Sequence, residues 1–233
     1  MSEPLRIALV GATGLVGREV IEACTGRSDL RLTAIARREV RLPEGARMEL
    51  LIADPAGWNL AIAAARPQVL VCALGTTWRA AGKDEGAFRA VDETLVLACA
   101  RAAKAAGATH AVVVSSVGAD PASRNFYLRV KGEVEAALGK IGFARLDIVR
   151  PGLLKGARGG PLRIGERLGM IASPLADAVL HGPYRRYRSI HADIVAAAIL
   201  GLAQEKAAGR FNHEHDALLR AARRDRERAL TRR

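Results

Sequence analysis

A chain of 233 residues, half of them apolar, can bury one full α/β core and is a little short for two domains. It holds no run of the roughly 18 apolar residues that a membrane helix needs, and Met1 to Val10 lead into a strand-like segment with no signal-peptide pattern, which predicts a cytoplasmic protein. The formal charge of +12 would suit nucleic acid or an anionic small molecule, but aromatic residues are only 4% of the chain and are not interleaved with the basic ones, which argues against nucleic acid.

In chain order, Ile7 to Gly11 (IALVG) is a short apolar segment of strand character that stops at a glycine, and REVIEAC then begins a helical pattern. Between them stand Gly11, Gly14 and Gly17. In a dinucleotide loop the first glycine permits the tight turn and the second lets backbone approach a pyrophosphate. The third lets the helix lie close on the sheet. The helix N-terminus adds unpaired N–H groups and partial positive charge for phosphate. Gly11, Thr13, Gly14, Leu15, Val16 and Gly17 are therefore the predicted cofactor cradle.

Leu30 to Ala36 reads as the second strand and ends in Arg37 and Arg38. An acidic residue about twenty positions past the glycines would hold a ribose 2′-hydroxyl, whereas arginine accommodates a 2′-phosphate. The pair favours NADP(H) over NAD(H). Met48 to Asp54 predicts a third strand, with Asp54 at its edge either accepting from an adenine amino group or capping the next turn. Gln68 to Thr77 predicts a central fourth strand opening at Leu74, Gly75 and Thr76 on the ligand edge. Trp58 and Trp78 read as packing or lid residues.

A long helix is expected over Phe88 to Ala106, and its alanines could pack against a partner subunit in a homodimer. The fifth strand, from Thr109, delivers Ser115 and Ser116 to the same edge. A helix over about Tyr127 to Lys140 and a sixth strand over Ala144 to Gly152 follow, and the next clear helix is His191 to Glu205. The segment 217–233 carries seven arginines against Asp225 and Glu227, and the basic tail beyond Phe211 is expected to be either an exposed helix or frayed. Cys24, Cys72 and Cys99 are isolated in apolar segments and read as buried reduced thiols. His213-Glu214-His215 suits a solvated segment better than a metal site, and His110 reads as structural. His181 and His191 are read as core or surface residues, with the substrate crevice as the other option.

Tyr127 and Lys131 lie four residues apart, so on a helix they share one face. A phenol, with an ordinary pKa near ~10, becomes useful as an acid-base group beside an ammonium that favours the phenolate. The serine pair supplies hydroxyls that could polarise a substrate carbonyl.

With these motifs in order, the chain resembles the short-chain dehydrogenase/reductase superfamily. It is most similar to the atypical branch of the Tat-interacting-protein oxidoreductases. The resemblance rests on GATGLVGREV, ARR, CALGTTWRAAG, VDETLVLACARAAKAAG, SSVGAD, FYLRVKGEVEAAL and RPGLL, spread from Leu5 to Leu154. It implies Tyr127 as the catalytic acid-base group with Lys131 as its partner, and Ser116 as the superfamily serine with Ser115 as the alternative. Thr13 to Leu15 would wrap the pyrophosphate, and Leu74 and Gly75 would border the nicotinamide ribose. After Arg150 and Pro151, the backbone of Gly152 and Leu153 would face the carboxamide. One departure stands out: Asp92 occupies the segment where many members place an asparagine.

The expected fold is a single doubly wound parallel α/β domain: a cofactor core over 1–154, a small helical substrate-side portion over 155–210 and a basic tail over 211–233. The expected function is NADP(H)-dependent hydride transfer to or from a small carbonyl or alcohol substrate. A non-catalytic NADPH-binding regulatory protein and a sugar-nucleotide epimerase or dehydratase are the alternatives.

Overall fold

The apolar runs at Leu5–Val10 (β1), Leu30–Ala36 (β2), Val69–Cys72 (β4), His110–Val114 (β5) and Arg145–Val149 (β6) are buried almost throughout, as strands covered on both faces must be. The computed structural model describes residues 3–156 and 180–231. Among the described residues, β3 (Glu49–Ile52) and β9 (Gly209–His213) complete a seven-stranded sheet in the order β3-β2-β1-β4-β5-β6-β9. Every neighbouring pair in it is parallel. A two-residue pairing of β7 (Leu154–Lys155) with β8 (Ile190–His191) lies apart from it.

The chain leaves β1 toward β2 on one side and later returns to β4 on the other, so the strand order reverses at β1. Val10 pairs with both Ile35 and Cys72, which levels the carboxyl ends of three strands at that reversal. Ligands of open α/β sheets bind in such a crevice.

Two apolar layers flank the sheet. On one face α1 (Leu15–Cys24) and α6 (Ala192–Ala203) pack Val20, Ile21 and Ile199 against Leu9 and Val71. On the other, α2 (Trp58–Ala65), α4 (Val96–Ala105) and α5 (Phe126–Leu138) pack Ile62, Ala100 and Val130 against Leu70 and Ile148. No helix among the described residues is long and apolar enough to cross a membrane.

The six expected strands are present, with the third and fourth shorter than their apolar runs. The helix expected over 88–106 is three consecutive pieces: α3 (Glu85–Arg89), a π-helical turn (Ala90–Leu95) and α4. The three cysteines are buried and free, and burial pushes the Cys72 thiol up to about 11.

Of the two readings of the tail, the helix is present, though packed on one face, and the frayed one is overturned. β9 extends the sheet beside β6, and α7 (His215–Thr231) buries Leu218, Ala221 and Ala222 along α6. Gly201 makes that contact close, since a Cβ there would lie 2.5 Å from the Ala221 carbonyl oxygen. Arg27 reaches Asp225 at 3.2 Å, tying α7 to the loop after α1. The arginines are the outer face of an amphipathic helix, which explains a tail that is basic and yet folded. The solvated reading of His213 to His215 fails with it, because His213 Nε2 lies 2.6 Å from the buried Asp147 carboxylate and His215 is itself buried. Of the expected substrate-side portion, 157–179 lie outside the described residues.

Candidate active site

The glycine loop leaves β1 at Gly11, whose φ of +89° is a left-handed conformation that favours glycine. A Cβ at Gly11 would lie 2.4 Å from the Ala73 carbonyl carbon, so only glycine lets the loop cross the exit of β4. Gly17 is fixed by its close approach: a Cβ there would sit 2.2 Å from the Gly11 oxygen. Gly14 is the N-cap of α1, with no side-chain cap and no acidic residue in the first turn. The free N–H groups of that turn are left for an anion.

Two cavities meet at this loop. One, of about 370 Å³, runs from Gly11 past Ala36 and Arg37 to Trp58 and the π turn. The other, of about 430 Å³, runs from Thr13, Gly14, Leu15 and Val16 past Leu74, Gly75 and Thr76 to Ser115, Tyr127 and Lys131. They share Thr13, Gly14, Ala73, Leu74 and Gly75. An extended two-lobed ligand bridged over the loop fits this shape, one lobe by Arg37 and the other by Tyr127.

Several expected residues are not on these walls. Arg38 follows Arg37 into solvent, and neither makes an ion pair among the described residues. Asp54 is exposed. Its backbone carbonyl accepts from the Gly57 N–H at 2.8 Å, while its side chain makes no capping bond. Pro151 is buried and Leu153 is exposed, both off the two cavities. Of the two serines, Ser115 lines the cavity. The hydroxyl of Ser116, the serine that the resemblance prefers, instead lies 3.3 Å from the Val117 carbonyl oxygen.

α5 starts at Asn125, whose side chain accepts from the Leu128 N–H at 3.2 Å, and this cap sets the turns that carry Tyr127 and Lys131. The Tyr127 ring packs edge-on against Phe88, with centroids 5.6 Å apart. Lys131 is buried, with Nζ 2.7 Å from Asp92 Oδ1. Burial alone would push its pKa down, but Asp92 and the Tyr127 oxygen outweigh it and hold the ammonium above its ordinary value. Asp92 Oδ2 also accepts from the Thr76 N–H at 2.7 Å. Ser115 Oγ lies 2.5 Å from the buried Glu135 carboxylate, which the Arg150 guanidinium grips from the other side.

Sequence reasoning missed Glu135 and Arg18, which lines the cavity one residue past Gly17. Glu135 had a signal, for Tyr127, Lys131 and Glu135 repeat at spacings of four, one helix face. Trp58 is both packing and wall: it is buried, and its Nε1 donates to the Ala53 carbonyl at 2.8 Å.

A family model described as NAD(P)H-binding matches residues 11–177. Among curated proteins, "Protein fmp52, mitochondrial" of Emericella nidulans is 35% identical over 159 residues, 65% of this chain and 68% of that one. "Protein HTATIP2" of Rattus norvegicus is 37% identical over 153 residues, 64% of this chain and 62% of that one. Among solved structures, MoeE5 in complex with UDP-glucose and NAD superimposes with a TM-score of 0.67, covering 89% of this chain and 75% of that one. Its sequence identity of 15% shows the fold alone. The expectation of a cytoplasmic protein is overturned by the fungal relatives, which are named as mitochondrial proteins.

Proposed function

The chain belongs to the NAD(P)H-binding Rossmann family, in the branch of Fmp52 and HTATIP2, and from that premise we propose that it is an NADP(H)-dependent oxidoreductase acting on a small alcohol or carbonyl compound. One observation carries the proposal: Tyr127, Lys131 and Ser115 share a single cavity with the glycine loop. A binding protein without chemistry would need the loop and the lysine but not the phenol.

The donor set fits the cofactor. Space that a Cβ would fill at Gly11 and Gly17 is kept for a close backbone turn, and the uncapped first turn of α1 meets the pyrophosphate. Arg18 and Thr13 stand beside it. Arg37 takes the 2′-phosphate with a fork of donors suited to a dianion, and Lys131 donates to the nicotinamide ribose. The nicotinamide, when bound, accepts or supplies the hydride. Tyr127 passes the proton to or from the substrate oxygen. Beside the Glu135–Arg150 pair, the Ser115 hydroxyl donates its hydrogen bond to the Glu135 carboxylate and offers a lone pair toward the cavity, where it accepts from a substrate hydroxyl.

Titration of the protein with NADPH and with NADH, followed by nicotinamide fluorescence, tests the cofactor half. NADPH is expected to bind at least tenfold tighter, a difference of about 1.4 kcal/mol. Tyr127→Phe tests the chemistry: turnover of a screened substrate should fall by two orders of magnitude or more, roughly what a positioned acid-base group supplies, with NADPH affinity kept. Full turnover in that variant would remove Tyr127 from the mechanism.

A further inference from the structure

We propose that Asp92 is the positioning residue of this site: one buried carboxylate joins the Lys131 ammonium to the Thr76 amide and holds the lysine charged at the crevice. The inference rests on the cofactor reading above and adds a residue to it.

Asp92 is fully buried: its Oδ2 accepts from the Thr76 N–H at 2.7 Å, and its Oδ1, which has no hydrogen bond of good geometry among the described residues, is in ionic contact with Lys131 Nζ at 2.7 Å. Both partners are donors. An asparagine would have to turn its own NH2 toward one of them, so this pair of neighbours calls for two acceptors, which a carboxylate has and an amide has not. The acid in place of the superfamily's usual amide is therefore matched to its surroundings.

Backbone geometry supports the same reading. Asp92 sits in the π turn Ala90–Leu95, a local widening that often marks functional positions. Opposite it, Gly75 borders the pair at the exit of β4, where a Cβ would lie at ordinary contact distance, 3.5 Å from Asp92 Oδ1 and 3.8 Å from Lys131 Nζ. Gly75 and Thr76 line the same cavity as Lys131. One carboxylate thus sets both the lysine and the backbone beside it.

The charges around Lys131 make Asp92 decisive. From its own helix it faces Tyr127 and Glu135, and Glu135 is committed to Ser115 and Arg150. From β4 it faces the Cys72 thiol, which burial keeps protonated, and Arg18 stands across the cavity. Asp92 is the anion in direct contact. A buried lysine without a counterion releases its proton far below its ordinary pH.

The test follows the Lys131 side chain directly in the full chain without cofactor. In protein labelled with 13C-lysine, the Lys131 Cε resonance is assigned by its loss in Lys131→Met and followed across pH. In the wild type it should stay that of an ammonium through the neutral range. In Asp92→Asn it should titrate roughly two units or more lower. Asp92→Ser, which removes the charge with a smaller polar side chain, should do the same and serves if the amide is not accommodated. An unchanged lysine titration in a folded variant overturns the proposal.

NADPH binding gives the second arm. The wild-type affinity should be flat through neutral pH, whereas that of Asp92→Asn should fall tenfold or more as pH rises. In a Lys131→Met background, Asp92→Asn should cause no further loss. An equal further loss there would mean that Asp92 does not act through the lysine. If the wild type binds no NADPH, the cofactor reading fails while the lysine titration still decides the role of Asp92.

Discussion

Two carboxylates of this protein, Asp92 and Asp147, are equally and fully buried, and they do different work. Asp147 lies in β6 and takes partners from three strands: Arg145 Nε at 2.6 Å, His110 Nε2 at 2.7 Å and His213 Nε2 at 2.6 Å. Burial opposes its charge, yet these hydrogen bonds hold its carboxyl well below the usual carboxylate range. It stitches β5, β6 and β9 together. Asp92 has a lysine and one backbone amide, and its lysine borders a cavity with donors to spare. A buried ion pair is thus a stitch when the protein satisfies all of it, and an instrument when one partner is left facing a crevice.

The largest effect that separates the two is on stability. Asp147→Ala strands Arg145 and both histidines, and removing one partner of a buried pair costs about 3–5 kcal/mol. Urea unfolding should show this, or the variant should fail to fold, while NADPH affinity per folded molecule stays near wild type. The pH dependence has a definite sign. Because folding depresses this carboxyl, its contribution is full above the unfolded aspartate value of about 4 and is lost as pH falls below it. The acid limb of the stability curve should flatten in the variant. A stability within about 1 kcal/mol of wild type would show that β9 is held by its backbone ladder alone.

The same comparison explains what could be read in advance. The crevice was legible because its motifs are local: three glycines at fixed offsets between strand and helix, a tyrosine and lysine one turn apart, and serines ending a strand. Each is a short spacing with a physical job. The stitch was not legible, since His213 lies 66 residues from Asp147 and nothing near either position announces the other. β9 reads Gly-Arg-Phe-Asn-His, half-exposed and without the apolar run of an inner strand, so its sequence does not mark it as one. In α7 the arginines hid a narrow stripe of Leu218, Ala221 and Ala222. Which of Ser115 and Ser116 turns inward is set by the register of β5 and by Glu135, neither of which the serine pair itself reveals. Whether Arg38, Asp54, Pro151 and Leu153 border a ligand depends on the exact course of each loop, which no short spacing fixes.

Gly17→Ala should affect stability less than Asp147→Ala but should reach ligand binding as well. Its methyl would press on the Gly11 carbonyl, and both are backbone-bound, so the loop or α1 must shift. Overpacking of this kind costs about 1–3 kcal/mol, and the displaced cradle should lose NADPH binding tenfold or more. Calorimetry and fluorescence titration on one preparation read both. A variant that is destabilised yet binds NADPH normally would detach the glycine loop from the cofactor site.

The smallest stability effect, and the sharpest on the ligand, belongs to Arg37. It is exposed and makes no ion pair among the described residues, so Arg37→Ala should leave the unfolding midpoint within roughly 0.5 kcal/mol of wild type. It lines the cavity that continues from the glycine loop, where Arg38 does not. The loss of NADPH affinity should therefore be larger for Arg37→Ala than for Arg38→Ala, with NADH affinity unmoved in both, because only the 2′-phosphate is missing from NADH. A charge-assisted phosphate contact contributes about 1.5–3 kcal/mol, or roughly tenfold to a hundredfold in affinity. Equal losses for the two arginines would mean that NADPH is held by the general positive field at the end of β2. A parallel loss of NADH would mean that Arg37 holds something other than the 2′-phosphate.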